Sequence, residues 1–182
     1  MDIAIKIKES MQNYMTAKTP ENKRMLDTYK MIKQAFMEYV TNVKNCQKLV
    51  KDGVFSETIT TDEKGEEIHN INEDVSERIK LLPEEIQQKI LEDMVKERKN
   101  NVETYSNNGR EDLAVKENEE KTIIEALLPK TASEEDIIKI LNEKYPDGIQ
   151  QKQMGDAIKN VRSAFSRVDG KLVSELVKKR IV

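Results

Sequence analysis

Apolar residues recur at helical spacing near the C-terminus, and this pattern constrains the fold more than any other feature of the chain. Leu172, Val173, Leu176 and Val177 follow one another at i, i+1, i+4 and i+5, which places them on one side of a helix. Asp169 precedes them as a helix N-cap, because its carboxylate can accept hydrogen bonds from the free amides of the first turn. A second apolar stripe upstream comprises Met154, Ile158, Val161 and Phe165. The tail therefore predicts two short amphipathic helices.

The composition extends the helical prediction to the rest of the chain. Of its 182 residues, 36% are charged and only 37% are hydrophobic, and there is no tryptophan. A sequence so rich in Glu, Lys, Ile and Leu is typical of amphipathic helices that bury one stripe and solvate the other. We therefore expect an all-α protein. Helical periodicity predicts five helices before the tail, over residues 3–17, 20–51, 83–107, 110–128 and 133–144.

A break in the periodicity at Leu128-Pro129-Lys130-Thr131 predicts a domain boundary. Ser133 then resembles the first residue of a capping box, with Asp136 in place of the usual glutamate, so a new helix is expected directly after the break. The sequence thus predicts a helical N-terminal domain over residues 1–129 and a small three-helix domain over residues 130–182.

Residues 54–82 do not follow the helical pattern; the segment is acidic and is expected to be mobile. Two runs within residues 54–72 alternate apolar and polar residues, and Lys64-Gly65 between them can form a tight turn, which predicts a small β-hairpin. His69 lies in this segment without a cysteine or a second histidine, so it is interpreted as a solvated loop residue and not as a metal ligand.

The net charge of −3 hides a strong asymmetry along the chain. From Gly148 to Val182 there are eight basic side chains against three acidic ones, so this stretch carries +5 and the rest of the chain carries −8. An acidic body with a basic end favours an oriented approach to a negatively charged partner. The alternative is that these cations only keep small helices in solution. The eight candidate contacts are Lys152, Lys159, Arg162, Arg167, Lys171, Lys178, Lys179 and Arg180.

The sequence carries no motif of a known catalytic or cofactor site. It has no Walker loop, no Gly-x-Gly-x-x-Gly, no Cys-x-x-Cys and no His-Glu-x-x-His. Cys46 and His69 are its only cysteine and histidine, and both lie in segments that offer no third group to orient them. Cys46 falls among apolar positions and is interpreted as a core residue. We expect no catalytic residues, no metal and no cofactor.

The chain is expected to be cytoplasmic, without contact with a membrane. A single cysteine cannot form an intrachain disulfide, which fits a reducing compartment. No apolar run approaches the roughly 20 residues that a membrane helix needs. The first residues alternate apolar and charged side chains, unlike the core of a signal peptide. Nothing in the sequence defines an oligomeric state.

Two stretches carry a recognisable pattern. The tail has a Met-Gly pair at Met154-Gly155 and the Asp-Gly-Lys-Leu-Val-Ser-x-Leu-Val run from Asp169 to Val177. The middle of the chain has an ordered set of residues: Arg98, Tyr105, Gly109-Arg110, Asp112-Leu113-Ala114, Lys116-Glu117, Glu120 and Leu128-Pro129. With these features the chain resembles the YqeY family and the related C-terminal domain of the GatB subunit of the aspartyl/glutamyl-tRNA amidotransferase.

This resemblance implies a helical protein that handles tRNA. Relative to the family, residues 54–82 are expected to be an insertion. In the related amidotransferase the activating chemistry belongs to a separate catalytic domain, and this chain resembles the part that grips tRNA. We therefore expect a non-catalytic module that binds tRNA through the eight C-terminal cations, by largely sequence-independent contacts with phosphate. Two alternatives stay open: a protein–protein adaptor whose acidic N-terminal domain or hairpin binds a basic partner, and an accessory to a carbon–nitrogen ligase that uses glutamine as amide donor.

Two glycines within these motifs are interpreted as structural. Gly109 is expected to cap one helix, with Asp112 favourably placed at the start of the next. In the alternative interpretation, Arg110 contacts a phosphate at that helix start. Gly155 is expected to lie at a close contact between two helices.

Overall fold

The computed structural model describes residues 3–165 and 167–181, and this part of the chain is helical with one small hairpin. The chain separates into two compact units, residues 1–128 and residues 129–182, which we call the N-terminal unit and the C-terminal unit. The expected all-α class with a small β-hairpin is confirmed. The elements are α1 (Ile3–Thr16), α2 (Pro20–Thr41), α3 (Val43–Lys51), β1 (Glu57–Thr61), β2 (Glu67–Ile71), α4 (Val75–Leu81), α5 (Glu84–Asn107), α6 (Glu111–Glu125), α7 (Glu134–Lys144), a 3-10 turn (Gln151–Gln153), α8 (Met154–Ala164) and α9 (Gly170–Lys179).

The core of the N-terminal unit forms around α2. The side chain of Thr19 caps the first turn and Pro20 occupies the first helical position, so α2 starts where the sequence predicts. Helices α1, α3, α4, α5 and α6 all contact α2. Its buried stripe, which forms the centre of this core, includes Ile32, Phe36 and Val40.

The prediction of a single long helix over residues 20–51 is wrong, because the helix is interrupted between α2 and α3. Asn42 has extended backbone angles, and its side chain accepts a hydrogen bond of 3.2 Å from an amide in the first turn of α3. A side-chain cap of this kind competes with helix continuation. The break leaves the carbonyl of Val40 without its helical partner, and the Cys46 thiol (2.8 Å) and the Arg78 guanidinium (3.4 Å) donate to it.

Replacement of Cys46 tests how much the hydrogen bond from its thiol to the Val40 carbonyl contributes to the stability of the fold. Cys46→Ala removes the thiol and leaves Val40 with only the longer bond from Arg78, so we expect a loss of about 1–2 kcal/mol in the free energy of unfolding. Cys46→Ser keeps a donor at the same place and is expected to lose less than Cys46→Ala. Urea denaturation of both variants measures the difference. A serine variant as unstable as the alanine variant would show that the thiol stabilises the fold by packing alone.

The predicted hairpin and its turn are confirmed. Strands β1 and β2 pair in antiparallel register, with Glu57 opposite Ile71 at the open end. At the closed end, the Asp62 carboxylate accepts hydrogen bonds of 2.8 Å from the amides of Lys64 and Glu66. Between them Gly65 takes a positive φ of 80°, which favours glycine. The turn chemistry visible in the sequence is therefore the chemistry that closes the hairpin.

Helix α4 follows the hairpin and was not predicted. Its N-cap is Asp74, whose carboxylate accepts a 2.9 Å hydrogen bond from the Glu77 amide. Ile79 is its buried residue. Because α4 spans only Val75–Leu81, its apolar positions are too few to establish a helical period against the surrounding acidic segment.

Acid is expected to loosen the open end of the hairpin. The Glu73 carboxylate accepts hydrogen bonds from the hydroxyl (2.8 Å) and the amide (3.0 Å) of Ser56, and these bonds hold the pKa of Glu73 below its ordinary value of 4.5. Since the pKa is lower in the folded chain, this stabilisation is present above the unfolded pKa and is lost as the pH falls through the folded pKa. Hydrogen-exchange protection factors of the β1 and β2 amides should fall in that window, relative to those of α5. Glu73→Gln should abolish the pH dependence, and a Gln variant that keeps it would assign the effect to another group.

The C-terminal unit has its own core. The capping box predicted at Ser133 and Asp136 is present, with both reciprocal hydrogen bonds, and it starts α7. The chain end is fastened by a short parallel bridge between Ile149 and Ile181. None of the described helices, in either unit, has a stretch long and apolar enough to cross a membrane. The core of the C-terminal unit comprises Ala132, Ile137, Leu141, Ile149, Ala157, Val161, Val173, Leu176 and Val177.

Candidate nucleic-acid interface

Helix α9 turns three lysines toward solvent. The Asp169 side chain accepts hydrogen bonds from the amides of Lys171 and Leu172 in the first turn, at 2.8 and 3.1 Å, and so fixes the start of the helix as the sequence predicts. The apolar stripe, with Val173 and Val177 fully buried, faces the core of the C-terminal unit. The opposite side is exposed and carries Lys171, Lys178 and Lys179.

Helix α8 and the turn before it carry three more exposed cations. Ala157 and Val161 of α8 are fully buried, so the opposite side of this helix faces solvent. The guanidinium of Arg162 lies against Gly170, the first residue of α9. A Cβ atom placed on Gly170 would stand only 2.8 Å from the Nη2 atom of Arg162. Arg162 therefore links the basic side of α8 to the start of α9. The exposed cations of this segment are Lys152, Lys159 and Arg162.

Two of the eight expected contacts are only partly exposed. The Arg180 guanidinium donates to the side-chain oxygen of Asn142 and, at 3.3 Å, to the carbonyl of Tyr145. It therefore fastens the end of the chain to the end of α7. Arg167 is half-buried, and its carbonyl accepts a 3.0 Å hydrogen bond from the Ala132 amide. Within the C-terminal unit, both arginines thus have contacts to the fold.

We call the remaining six cations the basic face. Among the described residues, no carboxylate lies within salt-bridge distance of any of them, whereas Asp169 in the same segment is engaged as a helix cap. Exposed amino and guanidinium groups that form no salt bridge are accessible to a negatively charged partner in solution. The basic face comprises Lys152, Lys159, Arg162, Lys171, Lys178 and Lys179.

The only cysteine and the only histidine of the chain line one cleft, which the sequence did not predict. This hairpin cleft of about 420 Å³ lies between α3, α4 and the hairpin, and both Cys46 and His69 belong to its lining. The expectation that no third group orients them is wrong for His69, because its Nδ1 atom lies 3.0 Å from a Glu57 carboxylate oxygen. The Cys46 thiol, however, donates to a backbone carbonyl and is buried. The described residues contain no group of three or more His, Cys, Asp or Glu side chains arranged to hold a metal ion.

The two motif glycines have different environments. Gly109 has a positive φ of 69° and ends α5, as expected. The guanidinium of Arg110 forms two hydrogen bonds of 3.0 and 3.1 Å with the Asp112 carboxylate, which lower the pKa of Asp112. The expectation for Gly155 is wrong, because this residue is exposed and a Cβ atom on it would meet no other atom within 4 Å.

In a comparison with protein-family models, residues 67–181 match the family described as YqeY-like protein. The matched segment covers well over half of the 182 residues. The chain belongs to the YqeY-like family. No curated protein matches it. The resemblance proposed from the sequence motifs is therefore confirmed at the level of the family.

The YqeY-like segment includes the whole basic face and every motif residue of the middle of the chain. It begins at the first residue of β2, so it also includes residues 67–82, the second part of the segment expected to be an insertion. Helices α1, α2 and α3 and strand β1 precede the match.

Three of the YqeY-like motif residues meet in a buried ion cluster. The Nε atom of Arg98 on α5 lies 3.0 Å from a carboxylate oxygen of Glu120 and 3.3 Å from one of Glu117, both on α6. Asn101 donates a 3.1 Å hydrogen bond to Glu117, and Arg98 also contacts the sulfur of Met31 on α2. Only 12% of the Arg98 side chain and 8% of the Glu120 side chain are exposed. These residues hold three helices together, a role that their spacing in the sequence did not indicate.

Proposed function

We propose that this YqeY-like protein is a non-catalytic module that binds tRNA on the basic face of its C-terminal unit. The observation that carries the proposal is the exposure of six cations on α8, α9 and the turn before α8. They outnumber the two exposed carboxylates of these helices, Asp156 and Glu175, and form no salt bridge with them. The same stretch holds a net charge of +5 on a chain whose remainder holds −8.

The chemistry of the basic face suits phosphate recognition. Lysine amino groups act as point charges for phosphate, and the Arg162 guanidinium adds planar donors that can hold two oxygens at once. Each cation that neutralises a phosphate releases counterions from the nucleic acid, so binding of this kind depends steeply on salt and little on base sequence. The acidic remainder of the chain repels RNA and therefore favours approach by the C-terminal unit.

The resemblance of the tail to the C-terminal domain of the GatB subunit of a tRNA-dependent amidotransferase makes tRNA the proposed RNA. The chain contains no glycine-rich phosphate loop and no catalytic motif. We therefore assign tRNA binding to this protein. Where the protein acts as an accessory to a ligase, we assign the amide-forming chemistry to the partner. Half-buried Arg167 and Arg180 contribute to the fold of the unit and, in this proposal, less to RNA binding than the six exposed cations.

The experiment that tests the proposal is tRNA binding across a salt series. Electrophoretic or anisotropy measurements should give a linear plot of log affinity against log salt, with a slope of roughly −0.7 to −0.9 for each phosphate contact. A DNA duplex of equal charge and a protein pull-down with and without nuclease serve as controls. Absence of measurable tRNA binding at low salt would refute the proposal.

A second candidate function is that of a protein–protein adaptor. It is favoured by the acidic hairpin, whose free strand edge and adjoining cleft are independent of the basic face. The two functions are compatible, since they use different units of the chain.

A further inference from the structure

The hairpin leaves the backbone of β2 unpaired on its outer edge. Ser56 with Asn72 and Asp62 with Glu66 form backbone hydrogen bonds across the hairpin, at 3.0 and 2.9 Å. Because bonded and non-bonded pairs alternate along an antiparallel ladder, the residues between them on β2 point their N–H and C=O groups away from β1. These outward residues are Glu67, His69 and Ile71.

This edge lacks the features that usually protect an exposed strand. No hydrogen bond from elsewhere in the described chain reaches the outward backbone groups of β2. The strand contains neither proline nor lysine, which natural sheets commonly place on free edges to prevent pairing. A two-stranded sheet is also only marginally stable in water, so a third strand would stabilise it.

The hairpin cleft runs along the same edge. His69 and Ile71 point to one face of the hairpin and Asn70 to the other, yet all three line the cleft, so it reaches around the edge of β2. Glu57 is the only residue of β1 that lines the cleft. Its opposite wall is α3, where Val43 is 69% exposed. An incoming strand on β2 would therefore lie beside a cavity that can receive an apolar side chain.

The charge of this region selects the partner. Residues 54–74 contain seven carboxylates against one lysine, a net charge of −6 with His69 neutral. Two hairpins of this charge repel each other, which disfavours a second copy of the chain at this edge. Alternate residues of an added strand point to opposite faces, so its basic side chains would instead lie beside Glu66 while its apolar ones lie over the cleft, on the face of His69 and Ile71.

We propose that the free edge of β2 and the hairpin cleft together form a docking site for an extended, basic segment of another protein, which adds to the hairpin as a third strand. Main-chain hydrogen bonds to the outward groups of β2 supply the pairing, and the alternation of basic and apolar side chains in the partner supplies the selectivity. This site is separate from the basic face and does not depend on RNA binding.

The test uses the full chain and a fluorescent peptide of alternating lysine and valine, with a glutamate–valine peptide as the charge control. The decisive variant is His69→Pro, which removes one outward N–H of β2 without removing a hydrogen bond of the hairpin. We expect about fivefold weaker binding of the lysine–valine peptide, since a net backbone hydrogen bond is worth on the order of 1 kcal/mol. Ile59→Pro is the matched control, because Ile59 is the cross-strand partner of His69 and removes an outward N–H of β1 instead.

A further variant, His69→Thr, keeps the backbone N–H and removes only the imidazole, and it should bind nearly as well as the parent. Amide chemical shifts of β1 and β2 must first show that each hairpin is formed. If His69→Pro disrupts it, Glu66→Lys with Glu67→Lys tests the same site by charge and should also weaken binding about tenfold. Equal losses in Ile59→Pro and His69→Pro, equal affinity for the glutamate–valine peptide, or no binding by the parent would each overturn the proposal.

Discussion

Reversal of three charges on α9, by Lys171→Glu, Lys178→Glu and Lys179→Glu in one variant, is expected to remove most of the affinity for tRNA. If each lysine neutralises one phosphate, the log–log salt slope should become shallower by about 2–3, because each lost contact contributes roughly 0.7–0.9. At an ionic strength near 0.1 M this corresponds to a loss on the order of 100-fold or more, before repulsion from the new carboxylates is counted. Binding across a salt series measures both quantities.

The control variant reverses the same number of lysine charges in another part of the chain. Lys44, Lys48 and Lys51 are exposed on α3, in the N-terminal unit, and their conversion to glutamate alters the net charge of the chain equally. This control variant should bind tRNA with a nearly unchanged slope. Circular dichroism and thermal melting must show that the α9 variant keeps its fold, since its lysines flank a buried stripe. Equal losses in the two variants would mean that binding follows overall charge and not the basic face.

Where the sequence predicts the position and exposure of the candidate cations, the determinants are local. Asp169 is followed directly by the turn that it caps, and the spacing of Leu172 to Val177 leaves the lysines of α9 outside. Residues within one or two helical turns define both the position and the outward direction of these charges. The capping box of α7 and the turn of the hairpin are predictable for the same reason.

What the sequence does not predict depends on distant partners. In the sequence, Arg180 looks like any of the eight candidate cations of the C-terminal stretch. Only the fold brings it to Asn142 and Tyr145, more than thirty positions away. The break at Asn42 is hidden because apolar residues continue on both sides of it, so periodicity alone favours one helix. The pairing of His69 with Glu57 follows from the register of the hairpin, which only the folded strands define.

The buried ion cluster is expected to show the largest effect on stability. Replacing Arg98 by methionine keeps much of the side-chain volume and removes the cation that pairs with both Glu117 and Glu120, in a site where 16% and 8% of these side chains are exposed. Of the cations in the described chain, only the Lys116 amino group, 4.0 Å from Glu120, then remains beside these carboxylates. Removal of one partner from a buried ion pair commonly costs about 3–5 kcal/mol, because the remaining charge is desolvated without compensation. Against a total stability of about 5–15 kcal/mol for a typical domain, this loss should shift urea denaturation strongly.

Two further variants separate the charge effect from a packing effect. Arg110→Met makes the same substitution in an exposed pair on the neighbouring turn, where 57% of the arginine and 65% of its partner Asp112 are exposed, and should cost far less stability than Arg98→Met. Adding Glu117→Gln and Glu120→Gln to Arg98→Met removes the uncompensated charges and should restore at least half of the lost stability, since Asn101 can still donate to the amide oxygen at position 117. If the triple variant is no more stable than Arg98→Met alone, the arginine acts through its packing between α2, α5 and α6 and not through its charge.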